Sequence, residues 1–455
     1  MEKLMTSPFA IHRQWESALH ESPEVRNTVA ALRIVVGRDV ITRNEDEWAQ
    51  TVRDDVRLSA YPLALWLASS WWRLRWEPLP KAAPERSWRM AHELSAAGYG
   101  YVWPRMLFAS DGEVVNVWAM PSRPDSRAVV RYLTHSFHAV SALDFERTVD
   151  EFINGVLARL DAAGVERTAL HDLWREITEE RREESLTVQR RLEALLGFDP
   201  DESPEGLLDT FEKLIPRAGL SAVEEIAPVC ASADPAGMLR QVLSAADAEG
   251  LRGRIALPRE TLDATVSLAG PGWRRGGELA RRLRRSLGLN GGAVPDGVLC
   301  GLLGLATDRA MDLEGAVRPV LAMAVREKGA RGLKFVLRKR NRHGRRFELA
   351  RFLCDYVIAG QADGWLPVSD AKTSRQRTQR AFAAEFLCPV EALEEFMAGD
   401  FSMDAVEEAA ERFEVGPAAV QAQLVNHGLL PTHLLTEYGG GVDLPYFHTP
   451  RQVDA

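Results

Sequence analysis

Apolar positions in the first third of the chain follow two rhythms. In residues 61–76, Leu65, Ala68, Trp72 and Trp76 recur at spacings of three and four, which puts them on one face and predicts a helix. In residues 114–119, Val115, Val117 and Ala119 alternate with Val114, Asn116 and Trp118, the period of a strand. Asp111-Gly112, with β-forming residues on both sides, predicts a hairpin turn. From Leu143 to about Leu262 the rhythm is helical, with Phe145, Val149, Phe152, Val156 and Leu160 on one stripe. Gly197 to Pro204 interrupts it; Gly stops one helix and Ser203 is placed to cap the next, with short helices expected at 207–215 and 222–230.

Gly270-Pro271-Gly272 marks the next boundary. An amphipathic helix is expected at 277–289, ended by Asn290-Gly-Gly, and another from Val294 to Leu305. Residues 320–325 and 333–337 read as strands around a turn containing Gly329. A helix follows over 346–358, with Phe347, Ala350, Cys354 and Val357 on its buried side, and a second from Gln379 to Pro389. The expectation is an α+β, mainly helical chain. It comprises a Trp-rich α+β domain at 1–135, a helical spacer or interaction domain at 140–265, an α+β domain at 271–430 and a tail at 431–455.

Composition narrows the class. With 455 residues, 46% hydrophobic and 27% charged, the chain has the balance of a globular protein of several domains. No run of about 18 apolar residues occurs, so no membrane association is expected. The N-terminus lacks a signal-type apolar run, and the four cysteines form no CxxC pair, which points to the cytoplasm. Charge is segregated: residues 271–360 hold 19 Arg/Lys against 8 Asp/Glu, while 361–455 hold 6 against 15. A basic module between acidic ones suits intramolecular or subunit docking of opposite charges, or a nucleic-acid footprint.

Nine of the twelve tryptophans precede residue 125, Trp48 and the adjacent Trp71 and Trp72 among them. Such side chains build a core by the area they bury; the alternative is an aromatic recognition pocket, for which Trp71 and Trp72 are the candidates. The candidate anion-facing residues are Lys334, Arg338, Lys339, Arg340, Arg342, Arg345 and Arg346, bracketing a strand end and a helix start. Cys354 and Cys388 with His343 form a conceivable nucleophile–base set, although a buried free cysteine is the commoner state.

Three ordered segments carry a family resemblance. They are Arg346-Phe347-x-Leu349-Ala350, then Phe382-Ala-Ala-Glu385-Phe-Leu-Cys-Pro389, then residues 405–429, in which Val415-Gly-Pro417 turns a helical pair. Residues 271–430 thereby resemble the ImmA/IrrE zinc metallopeptidases, whose helices read RFxLAHELGH and ExxANxFAAELLMP. The resemblance implies a zincin-like α+β domain with a small β-hairpin or sheet and a closing helical hairpin. It also implies a setting of repressor control, stress response, mobile elements or phage defence.

The family's zinc needs two histidines one helical turn apart, a glutamate beside the first and a third carboxylate ligand. At the matching positions this chain has Arg351, Phe352 and Asp355, in the run Arg351-Phe352-Leu353-Cys354-Asp355. Residues 374–380 contain no acid, and Thr378 is taken as nearest to the third ligand. No zinc or other cofactor is therefore expected, although Asp355 and Glu385 remain as oxygen donors. An Arg351–Asp355 pair at i,i+4 is expected to fill the vacated site. The leading expectation is a catalytically inactive pseudo-metallopeptidase acting as a binding or regulatory module with a protein partner. The alternatives are an active metal-dependent peptidase with a non-standard site, and a DNA-binding regulator using the basic 334–346 segment. The acids Glu407, Glu408, Glu411 and Glu414 on the helical pair weigh against the last.

Overall fold

Strands Phe9–Trp15 and Val29–Val36 pair antiparallel, with Phe9 opposite Val36 and Trp15 opposite Ala30, and Val56–Ser59 extends the sheet. The computed structural model describes residues 7–19, 22–46, 50–123, 128–258, 271–289, 291–312, 319–327 and 332–430. Trp48, Gly270, Asn290, the Gly329 turn and the tail at 431–455 lie outside these. The chain is about 52% helix and 17% strand, with several small antiparallel sheets, and so is α+β and mainly helical. Among the described residues no helix is long and apolar enough to cross a membrane.

The chain divides into two units, the main boundary falling between Ser203 and Pro204. That boundary lies inside the segment the sequence presents as one spacer. Helix Ala142–Ala162 explains why: Phe145, Val149 and Phe152 lie in one core with Phe9, Trp71 and Phe108, so the first half of the spacer belongs to the first unit.

In the first unit the Asp111-Gly112 turn joins Arg105–Ser110 to Val114–Met120 as the sequence predicts. The Asp111 carboxylate accepts from the backbone N–H of Glu113 at 3.0 Å and Val114 at 2.8 Å, and Gly112 takes φ +97°. The expected 61–76 helix is two, Ala60–Ser69 and Trp71–Trp76, broken at Ser70. Trp71 and Trp72 are 2% and 4% exposed. Trp71 meets Trp174 edge-on at 5.6 Å, and the Trp72 indole N–H donates to Glu180 at 2.9 Å. Both serve the core rather than a recognition surface, because the helix that carries them is enclosed by its neighbours.

The second unit is built on one antiparallel sheet, ordered Leu251–Gly253, Leu333–Val336, Ala322–Arg326, Trp365–Val368. Helix Arg342–Ala359 shares a core with it; Phe352, fully buried, meets Phe335 edge-on at 5.4 Å. Helix Gly272–Ser286 begins before the expected 277 and lies close against helix Ser374–Leu387. Two glycines permit this: a Cβ at Gly276 would sit 2.3 Å from the Thr378 carbonyl oxygen, and one at Gly272 would sit 2.4 Å from the Thr378 hydroxyl oxygen. Helix Leu207–Ala218 starts at Gly206, not at a Ser203 cap; the Ser203 hydroxyl instead donates to Glu193 at 3.3 Å. Helices Met403–Phe413 and Pro417–Asn426 form the closing pair, turned by Glu414 at φ +54°.

Candidate functional site

Two helices of the second unit bring Arg351, Asp355 and Gln376 together. Asn341 caps helix Arg342–Ala359, its side chain accepting from the Gly344 N–H. Thr373 caps helix Ser374–Leu387, its hydroxyl accepting from the Gln376 N–H at 3.3 Å. Asp355, fully buried, is held by Arg375 through two parallel bonds, Nε to Oδ1 at 2.7 Å and Nη2 to Oδ2 at 2.8 Å. The third arm of Arg375 donates to Asp363 at 2.6 Å. Arg351 donates instead to the Ser369 carbonyl at 2.7 Å and to the Gln376 side-chain oxygen.

The expected Arg351–Asp355 pair is therefore not formed. An i,i+4 spacing gives reach but no exclusivity. A longer-range arginine on the neighbouring helix reaches Asp355 in fork geometry, and Arg351 turns to the loop before that helix. Gln376 also donates to Glu225 at 2.8 Å and to the Pro367 carbonyl at 3.0 Å, and Glu225 accepts from the Thr373 hydroxyl at 2.6 Å. Helix Leu220–Cys230 thus supplies an acid to the site.

Thr378 is corrected too. Its hydroxyl donates to the Ser374 carbonyl at 2.9 Å, and a Cβ on Gly272 would lie 2.4 Å from that oxygen, so it faces helix Gly272–Ser286. The residue that meets Arg351 is Gln376, which is also where the glutamate of ExxANxF falls when counted back from Phe382. The quoted motif held the signal that finds Gln376; nothing in the sequence singled out Arg375 or Glu225.

These residues do not fit zinc. Arg351 presents a cation where an imidazole is required, Asp355 has both oxygens engaged by Arg375, and Gln376 offers an amide already bonded at both ends. Phe352, at the position where the resemblance would put a catalytic glutamate, is a core side chain. Among the described residues no three His, Cys, Asp or Glu side chains converge as a metal set.

Burial and neighbouring charge shape the electrostatics. Burial opposes the Arg375 charge, but Asp355, Glu225 and Asp363 outweigh it and hold the guanidinium more basic than usual. Burial raises Glu225 and Glu348 despite bonds that favour their anions. In the loop between strand Trp365–Val368 and helix Ser374–Leu387, Asp370 is gripped by Arg338 at 2.9 and 3.0 Å and by Lys81 at 3.0 Å. Burial works against its charge, yet those cations hold it well below the usual carboxylate range. The cations on and around this loop behave oppositely. Arg351 is pushed down to about 10 by burial, with Arg338 adding to it. Arg380, whose Nη1 donates to the Ala371 carbonyl at 3.0 Å, is pushed down to about 9 by burial, then by Arg351 and Arg377. Lys372 is pushed down to about 8 by burial, then by Arg380 and Arg377.

The other candidates are placed as follows. Cys354 and Cys388 are fully buried; burial drives the first thiol far up and the second to about 12, the opposite of nucleophile activation. Most of the basic run is turned inward. Lys334 donates to the Ala246 carbonyl at 2.8 Å, Arg338 holds Asp370, and Arg342 reaches Asp296 at 2.7 Å and Glu414 at 2.9 Å. Arg345 donates to the carbonyls of Lys339, Ala310 and Asp312. Arg346, fully buried, pairs with Asp296 and Glu414. Lys339 is half-buried and Arg340 exposed. Lys334, Arg338, Arg342, Arg345 and Arg346 thus give donors to backbone carbonyls and to the acids of neighbouring helices. No family model, curated protein or solved structure matches this chain.

Proposed function

We propose that the second unit is a degenerate zincin-like domain of the ImmA/IrrE kind, catalytically inert and working as a binding or regulatory module in the cytoplasm. The observation that carries this reading is the convergence of Arg351, Asp355 and Gln376. These are the positions where the resemblance puts the two histidines and the third ligand, and side-chain bonds cross-link them to one another's helices. A metal cleft has become a buried polar clasp. The chemistry left there holds helices together; it polarises no carbonyl and generates no nucleophile. The module then acts through its surfaces, with a protein partner, in a setting of the kind the resemblance implies.

The test is metal content and peptidase activity of the full chain purified without chelator. The reading expects no stoichiometric zinc, no cleavage of peptide or protein substrates, and a melting temperature unchanged by EDTA. Stoichiometric zinc that is lost on Asp355→Ala, or chelator-sensitive proteolysis, would overturn it.

A further inference from the structure

Around the loop at 369–373, cations outnumber the acids that face them: Lys81, Arg338, Arg351, Lys372, Arg377 and Arg380 stand against Asp370, Glu348, Asp355 and Glu225. Asp370, the loop's acid, is already taken by Arg338 and Lys81. Arg351, Lys372 and Arg380 are half to fully buried, and none of the three makes an ion pair among the described residues. Their positions are fixed by the loop itself. Arg351 holds the carbonyl of Ser369, and Arg380 holds that of Ala371, next to Lys372. The Arg351 Nε is buried with no partner, and among the described residues the Lys372 ammonium has no hydrogen-bond partner. Helix Ser374–Leu387 starts here, adding its first-turn N–H groups and the positive end of its dipole. Cations gathered at partial burial in excess of their counter-charges are costly unless an anion completes them.

We infer that the 369–380 loop and helix start form a binding site for a phosphoryl group carrying two or more negative charges, contacted by Lys372 and Arg380 with Arg351 behind them. A guanidinium that spends one arm on Ala371 keeps its other donors for phosphoryl oxygens, and lysine supplies a point charge beside it. A single carboxylate would balance only one of the three cations, which is why the multiply charged group fits better. The inference goes beyond the inert-cleft reading and does not depend on it, since it uses only the contacts of this loop.

Isothermal titration of the full chain with inorganic phosphate, pyrophosphate and a short single-stranded oligonucleotide tests it. Pyrophosphate is expected to bind, and more tightly than phosphate. Lys372→Met should weaken it about tenfold, the worth of one charge-assisted contact, and Lys372→Glu should weaken it further. Because the Lys372 ammonium has no hydrogen-bond partner among the described residues, both variants should keep the wild-type circular dichroism spectrum, and Arg377→Gln provides a second, independent loss of nearby charge that should also weaken binding. No pyrophosphate binding at millimolar concentration by the wild type overturns the inference. So does an affinity unchanged in Lys372→Glu, or oligonucleotide binding without pyrophosphate binding. None of these results bears on metal content, so failure here leaves the inert-cleft reading to its own test.

Discussion

Arg375 and Asp355, 20 residues apart in sequence, join two helices by two parallel bonds of 2.7 and 2.8 Å, and the aspartate is wholly buried. Breaking a buried ion pair from one side leaves the other charge unpaired, which costs about 3–5 kcal/mol. Arg375→Ala should lose that much, because Asp355 then has no cation to hold it. Asp355→Asn should lose less, about 1–3 kcal/mol, since Arg375 keeps Asp363 and the amide still accepts a bond. Urea unfolding reads both; equal losses below half a unit of midpoint denaturant shift would show the pair to be dispensable.

Gly276 sets how closely two helices approach. A Cβ there would lie 2.3 Å from the Thr378 carbonyl and 2.9 Å from the Phe382 N–H, both backbone atoms that cannot step aside. Gly276→Ala gains helix propensity of about 1 kcal/mol and must still push the helices apart. The net should be a loss of about 1–3 kcal/mol, the usual cost of overpacking. Gly277→Ala, one residue on and facing only its own helix's Arg281, serves as the control and should be neutral or stabilising. A Gly276→Ala variant as stable as that control would refute the close contact.

The helices were legible wherever a 3.6-residue stripe was uninterrupted, as in Phe145 to Leu160, and the Asp111-Gly112 hairpin was legible from its turn chemistry. Strands Phe9–Trp15 and Val29–Val36 were not: Arg13 stands on the face of Phe9 and Ile11, and in the second strand the outward Ala31 and Val35 are as apolar as the inward Ala30, Leu32, Ile34 and Val36, which hides the alternation. The site was half legible. The Arg351 and Asp355 positions follow from the motif, but Thr378 lies two residues past Gln376, about 200° further round the helix, and so on the opposite face. Arg375 and Glu225 come from other elements, and their convergence on Asp355 and Gln376 is a property of packing that no spacing along the chain records.

Lys372 makes stability depend on alkaline pH. Its ordinary value of 10.5 is pushed down to about 8 by burial, then by Arg380 and Arg377. Between those limits the unfolded chain carries the lysine proton and the folded chain does not, so stability rises with pH across the window. Below about 8 both states are protonated and the folded state bears the full penalty of the charge. Lys372→Met removes the penalty. The variant should melt higher than the wild type at pH 7, and the gap should close as pH approaches 10.5. Buried thiols such as Cys388 push the other way in both proteins and cancel in the difference. A gap that is constant from pH 7 to 10.5 would show that Lys372 titrates as a free side chain.

Trp72 tests the core assignment of the first unit. Trp72→Ala removes a 4%-exposed indole and should cost about 3–5 kcal/mol. Trp72→Phe keeps most of the ring but forfeits the bond to Glu180, which retains Arg190 at 2.6 Å, so its cost should be about 1–2 kcal/mol. An unchanged melting temperature for Trp72→Ala, with a partner or ligand lost instead, would reassign the tryptophans to recognition.

The last prediction asks whether the clasp occupies a former metal cleft. If Arg351, Asp355 and Gln376 stand at three ligand positions, then Arg351→His, Asp355→His and Gln376→Glu together rebuild a His, His, carboxylate set. Arg375 must be changed with them, because Asp355→His strands its guanidinium beside Asp363 alone; Arg375→Gln removes that charge and keeps a hydrogen-bonding side chain. Glu225, bonded to Gln376 in the wild type, would repel the new glutamate and destabilise the apo protein. Zinc should relieve that repulsion, so the metal should raise the melting temperature of this variant by several degrees. A parallel variant carrying Thr378→Glu in place of Gln376→Glu has its carboxylate against helix Gly272–Ser286, where a Gly272 Cβ would already be 2.4 Å from the threonine oxygen. It should fold poorly and gain nothing from zinc. Neither variant should cleave peptides while Phe352 fills the general-base position, and Phe352→Glu would bury a charge against Phe335. Equal zinc stabilisation of the two variants, or none in the first, would show that the three positions do not share a ligand geometry and would remove the zincin-like reading.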